Sequence, residues 1–175
     1  MLSRRQFLGT VATVPVLAAL PQRALASTGP RELKFLHTHT GERLAVEYFD
    51  AHDYIPDALA TVNHFLRDFR TGDEHPIDPT LLVLLHRLTG LTDSSRPFEV
   101  ISGYRSPVTN AMLRRQSEGV AAGSLHMVGQ AIDIRLTDIP LARLRAAALS
   151  LRSGGVGYYP TSNFVHVDTG RVRFW

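Results

Sequence analysis

Ser124-Leu125-His126-Met127-Val128-Gly129-Gln130-Ala131-Ile132-Asp133 is the stretch around which the chain is organised, and Asn163-Phe164-Val165-His166-Val167-Asp168 is the short strand that answers it. Strand alternation assigns their faces. From Ala131 to Leu136, Ile132, Ile134 and Leu136 point one way, while Ala131, Asp133 and Arg135 point the other. From Phe164 to Asp168, Val165 and Val167 face a core, leaving Phe164, His166 and Asp168 opposite. If the two strands pair, Asp133 and His166 meet on the side away from the core, and His126 reaches in from the preceding loop. Gly129 and Ala131 keep that approach narrow. Two imidazoles and a carboxylate are a three-ligand set suited to a catalytic zinc, with a fourth position for water. Each residue alone also has a plainer reading: a strand histidine is more often a hydrogen-bonded structural residue, and Asp133 can pair with Arg135.

Working outward, Leu33–Thr40 and Arg43–Phe49 read as two strands joined at Gly41-Glu42. His37-Thr38-His39 places two imidazoles on one strand face, where a metal pair is one reading, but with no nearby carboxylate pattern they read as surface polar residues. Pro56 suits the first turn of a helix whose apolar stripe is Leu59, Val62, Leu66 and Phe69. His52 and His64 read as structural or solvated. Asp78-Pro79 is an N-cap followed by a first-turn proline, and it opens a leucine-rich helix that Gly90 is placed to end. A strand over Pro97–Ile101 delivers Ser102-Gly103-Tyr104-Arg105-Ser106-Pro107, and a short helix follows from Asn110 to Ser117. Asp138-Ile139-Pro140 opens a last helix with Leu141, Leu144, Ala148 and Leu151 inward, stopped by Ser153-Gly154-Gly155. Val156–Tyr159 and Phe164–Asp168 then read as a closing hairpin, in which Tyr158 and Tyr159 line a groove or else pack in the core or at the rim. The class is α+β: a small, mainly antiparallel sheet with helices on one face and the candidate metal site on the other.

The first 26 residues read as a targeting segment. Ser3-Arg4-Arg5-Gln6-Phe7-Leu8 resembles a twin-arginine export signal, followed by an apolar run and the small-x-small site Ala24-Leu25-Ala26. The run is shorter than the ~20 residues a spanning helix needs, and Pro15 interrupts it, so cleavage rather than a stable membrane anchor is expected. This reading implies the twin-arginine translocase as a partner during export, and a periplasmic mature protein covering residues 27–175. Three of the 19 basic residues lie in the signal, so 16 remain against 16 acidic residues. That balance argues against a nucleic-acid partner, which requires clustered positive charge. There is no cysteine, so no disulfide supports the fold. The remaining length suits one domain.

Ser124-x-His126-x-x-Gly129-x-Ala131-x-Asp133 resembles the zinc motif shared by D-Ala-D-Ala metallopeptidases and the hedgehog amino-terminal domain, and the strand carrying His166 is similar to that group's third-ligand strand. The zinc assignment to His126, Asp133 and His166 rests on this likeness more than on periodicity. From about Leu33 onward the chain is similar to the murein endopeptidase K family, through His37 and Thr40-Gly41-Glu42, Asn63-His64-Phe65, Ile101-Ser102-Gly103-Tyr104-Arg105-Ser106, Gly154-Gly155-Val156-Gly157-Tyr158-Tyr159-Pro160 and Phe164-Val165-His166-Val167-Asp168-Thr169-Gly170. The resemblance implies a zinc peptidase hydrolysing peptidoglycan peptide cross-links, those joining two diaminopimelate residues. It implies that Arg105 polarises the scissile carbonyl or holds a substrate carboxylate. Many relatives of the wider group place a Glu, Asp or His two or three positions before the last histidine. Asn163 and Phe164 stand there, and neither is a base. Asp168 is then either the general base or an orienting partner of a ligand histidine. A non-catalytic module that binds wall peptides, and a carboxypeptidase acting on them, are the alternatives.

Overall fold

The computed structural model describes residues 29–117 and 119–175. The segment read as an export signal lies outside them. In order, the described chain forms β1 (Arg31–His37), β2 (Arg43–Phe49), α1 (Pro56–Phe65), α2 (Pro79–Thr92), β3 (Phe98–Ser102), α3 (Pro107–Gln116), a 3-10 turn (Leu125–Val128), β4 (Ala131–Arg135), α4 (Leu141–Leu151), β5 (Gly155–Tyr159), β6 (Phe164–Asp168) and β7 (Arg173–Phe174). The strands make one sheet in the order β2-β1-β3-β4-β6-β5-β7. The β1–β3 and β5–β7 pairs are parallel, and the other neighbours are antiparallel. This is the mainly antiparallel α+β arrangement expected from the alternation.

Periodicity explains which face is covered. Leu33 and Phe35 of β1, Phe98 and Val100 of β3, Ile132 and Ile134 of β4 and Val165 and Val167 of β6 are buried against α1, α2 and α4. α2 is the centre of that layer, with Leu81, Leu82, Leu84, Leu85 and Leu88 all buried. Burying each such side chain contributes about 2 kcal/mol. α3 adds nothing to this core cluster and instead flanks the opposite side of the sheet.

Several boundaries differ from the sequence reading, for local reasons. β1 ends at His37 rather than running to Thr40, because the His37 Nδ1 accepts the backbone N–H groups of His39 and Thr40 and folds the chain into a turn. His37 is fully buried, not a surface residue. Burial, followed by repulsion from His39, lowers its pKa below the ordinary 6.5. α2 runs through Gly90, whose α-carbon faces open space, and Asp93 supplies the left-handed cap instead at φ 51°. α3 begins at Pro107, since the Ser106 side chain accepts the Thr109 N–H and caps it there.

Gly129 carries a demand that no other residue type meets. Its φ is +67°, and a Cβ there would lie 2.1 Å from the Pro76 carbonyl oxygen. Its own carbonyl accepts the Asp78 N–H, and Asp78 in turn caps α2 and accepts the Thr169 hydroxyl. Gly129→Ala is therefore expected to destabilise the metal-free protein by about 2–4 kcal/mol. Thermal unfolding followed by circular dichroism should show a fall of roughly 5–15 °C.

Candidate metal centre and cleft

β4 and β6 pair with Asp133 directly opposite His166, which brings their side chains to one point on the face away from the helices. His126 enters from the 3-10 turn. The His166 Nδ1 lies 2.9 Å from the Asp133 Oδ1 and 3.2 Å from the His126 Nε2, and that Nε2 is 3.3 Å from the same Asp133 oxygen. Four ligands at about 2.0–2.1 Å in a tetrahedron lie about 3.3 Å apart, so this triangle has the size such an ion requires.

The remaining ring nitrogens decide what the three atoms offer. The His126 Nδ1 donates to the Gly103 carbonyl at 2.7 Å, leaving a lone pair on Nε2. The His166 Nε2 donates to the Asp168 Oδ2 at 3.0 Å, leaving Nδ1 directed at the centre. Three lone-pair atoms thus converge in a buried place, an arrangement that needs a cation or a proton between them. In the metal-free protein the proton resides on His166. Burial opposes its charge, but Asp133 and Asp168 on either side outweigh this and raise its pKa to about 9. Burial also works against the Asp133 carboxylate, yet the two histidines hold its pKa well below the usual carboxylate range. The donor set and its tautomers fit a divalent ion of the zinc kind.

Asp168 is fully buried. Besides His166, it accepts the Gly155 and Gly170 N–H groups, each at 2.9 Å, and both terminal nitrogens of Arg173, at 3.0 and 2.7 Å. Its five donors keep it ionised despite burial, and none of its oxygens faces solvent. Gly155 is small because a Cβ there would come within 2.4 Å of the Asp168 Oδ2.

Arg105 reaches the same cleft from the segment after β3. Gly103 packs so closely on Leu66 that a Cβ would meet its carbonyl at 2.6 Å. The Tyr104 N–H bonds the Leu66 carbonyl, the Arg105 N–H bonds the His126 carbonyl, and the Ser106 N–H bonds the buried Asp68 carboxylate. The guanidinium ends 3.7 Å from the Asp133 Oδ2, with its side chain 12% exposed. Burial lowers its pKa, Asp133 raises it, and the charge of Arg70 lowers it again.

The cleft beside these groups has a volume of about 480 Å³. One wall is aromatic: Tyr159 stacks on Phe164 at 4.5 Å, and the Trp175 indole donates to the Tyr159 hydroxyl at 2.7 Å. Gly157, opposite His166 in the ladder, leaves room for Trp175, whose ring would lie 2.8 Å from a Cβ there. His39, Arg70 and Trp175 also line the cleft. Sequence reading gave none of them a site role: His39 read as surface, and Arg70 and Trp175 belong to no motif.

A family model described as peptidoglycan L,D-endopeptidase MepK matches residues 25–175. The peptidoglycan L,D-endopeptidases MepK of Escherichia coli K12 and of Shigella flexneri are each 49% identical to the chain over 169 residues, covering 96% of it and 93% of the relative. A Haemophilus influenzae protein named a probable peptidoglycan L,D-endopeptidase MepK is 45% identical over 177 residues, covering 99% of the chain and 95% of the relative.

Proposed function

This chain belongs to the peptidoglycan L,D-endopeptidase MepK family, and on that premise we propose that it cuts peptide cross-links between diaminopimelate residues of peptidoglycan, with zinc held by His126, Asp133 and His166. It is a metallopeptidase acting on peptidoglycan, which places its work outside the cytoplasm. Periplasmic location after export through the twin-arginine translocase, and cleavage after Ala26, complete the reading and rest on the amino-terminal sequence. No helix among the described residues is long and apolar enough to cross a membrane. The observation that carries the proposal is the convergence of three lone-pair atoms beside a guanidinium in an open cleft.

An ion bound by these residues supplies Lewis acidity that activates water and polarises the scissile carbonyl. The protein supplies the rest. Asp168 locks the His166 tautomer and its ring, and the Gly103 carbonyl does the same for His126. Arg105 holds a fixed positive charge beside Asp133, where negative charge grows on the amide oxygen as its carbon turns tetrahedral. Asp168 serves as the orienting partner rather than the general base, because it is sealed behind His166 with five donors on its two oxygens. The Trp175–Tyr159–Phe164 wall offers an apolar surface along one flank of the cleft.

Mass spectrometry of digests tests this. Zinc-loaded protein should convert muropeptide dimers joined through two diaminopimelates to monomers, and a chelator should stop conversion until zinc returns. Release of single terminal amino acids would replace the reading with a carboxypeptidase. Binding to sacculi without any product would replace it with a wall-binding module.

A further inference from the structure

The cleft is lopsided in charge. Among the described lining residues the one carboxylate is Asp133, already engaged by His126, His166 and Arg105, against three guanidiniums, Arg70, Arg105 and Arg173. Arg173 is committed to Asp168. Arg105 is largely buried beside Asp133. Arg70 is exposed, and among the described residues no carboxylate lies within ion-pairing distance of it. It is nevertheless not loose. Its Cζ lies 4.1 Å from the centre of the Phe69 ring, and the His39 imidazole lies parallel to that ring at 4.1 Å and 9°. Two groups that close cannot share a face, so Phe69 is sandwiched between them and presents Arg70 as a held cation. The backbone N–H of Arg70 is also fixed, by Asp68 at 3.0 Å. Two like charges, Arg70 and Arg105, thus line one cavity and make it attractive to an incoming anion.

We propose that Arg70, braced on Phe69, is a specificity subsite for a free carboxylate on the leaving-amine side of the scissile amide. This builds on the proposed cross-link hydrolysis. When a diamino dicarboxylic acid gives one amine to a cross-link, the carbon bearing that amine keeps its own carboxylate, one atom from the nitrogen that leaves. A planar guanidinium binds such a group through two parallel hydrogen bonds. Arg105 then serves the carbonyl oxygen and Arg70 the carboxylate, which divides between two residues the pair of roles expected of Arg105 alone. Bracing removes rotamer freedom before binding, so less affinity is lost on association.

The test uses the full, zinc-loaded chain and two synthetic cross-linked peptides that differ only at this group, carboxylate in one and carboxamide in the other. Wild type should favour the carboxylate about 10- to 100-fold in kcat/KM, mostly through KM. Arg70→Ala should erase that preference by weakening only the carboxylate substrate, and Arg70→Lys should restore part of it. Arg114→Ala, which removes an exposed charge of the same sign on α3, should leave the preference intact. Equal loss on both substrates, or no preference in wild type, overturns the subsite. Should wild type cleave neither peptide, the hydrolase reading fails. Affinities of the same two peptides for metal-stripped protein, measured by calorimetry, then decide the subsite independently: a carboxylate preference that Arg70→Ala abolishes supports it, and its absence rejects it.

Discussion

Alanine at His126 is expected to reduce cross-link hydrolysis to below about one-thousandth of wild type, because losing the ion forfeits several kcal/mol of charge stabilisation and each 1.4 kcal/mol is tenfold in rate. The same change removes one of three convergent donors and the Nδ1–H bond to the Gly103 carbonyl. Zinc content by atomic absorption and muropeptide conversion should fall together. Far-ultraviolet circular dichroism should stay near wild type, since the side chain contributes to the site rather than to the leucine-rich core. A variant that keeps wild-type conversion would sink the ligand assignment, and with it the metallopeptidase mechanism built on these residues.

Asparagine at Asp168 should be nearly as damaging for a different reason. It leaves the Arg173 guanidinium and the His166 Nε2–H facing a neutral amide in a fully buried place. Breaking a buried charge cluster in this way costs about 3–5 kcal/mol, and loosening the ring of a ligand histidine costs about 10- to 100-fold in metal affinity. Its pH signature separates the two effects. In the metal-free wild type, His166 holds its proton up to about pH 9, against an ordinary value of 6.5. The stability this contributes, on the order of 3 kcal/mol, is complete below about pH 6.5 and is lost as pH rises through about 9. With Asp168 neutralised the His166 pKa falls back, so the variant should lose less stability than wild type between pH 6 and pH 10. Urea unfolding of both metal-free proteins at the two pH values measures this, and identical losses would show that Asp168 does not hold the proton on His166.

How much of this could be read from the residues alone varies by element. The alternation of Ile132, Ile134, Val165 and Val167 sufficed to put Asp133 and His166 on the same face, because a one-residue slip would expose those side chains. The register that sets Asp133 directly opposite His166 is seen only in the folded sheet. The Asp78-Pro79 start of α2 was equally legible, as the cap and the proline act within a single turn. The boundaries set by distant contacts were not. His37-Thr38-His39-Thr40 is polar and alternating, and only the chain fold shows His37 sinking between Phe65 and Phe69 while its ring nitrogen gathers two backbone amides. Phe69 fits the stripe of α1 by spacing. The helix ends at Phe65, however, and Phe69 turns toward His39 and Arg70 instead. The role of Asp168 was evenly balanced because one strand face holds both His166 and Asp168. The glycine amides and Arg173 that surround Asp168 come from other strands and turns.

The Gly103 carbonyl has a wider consequence. It anchors His126 by one ring nitrogen, and two residues later the chain returns a second bond, from the Arg105 N–H to the His126 carbonyl. The histidine and the arginine are therefore two arms of one rigid calliper, whose opening the backbone sets before any peptide arrives. Such a tool measures its work instead of clamping down on it.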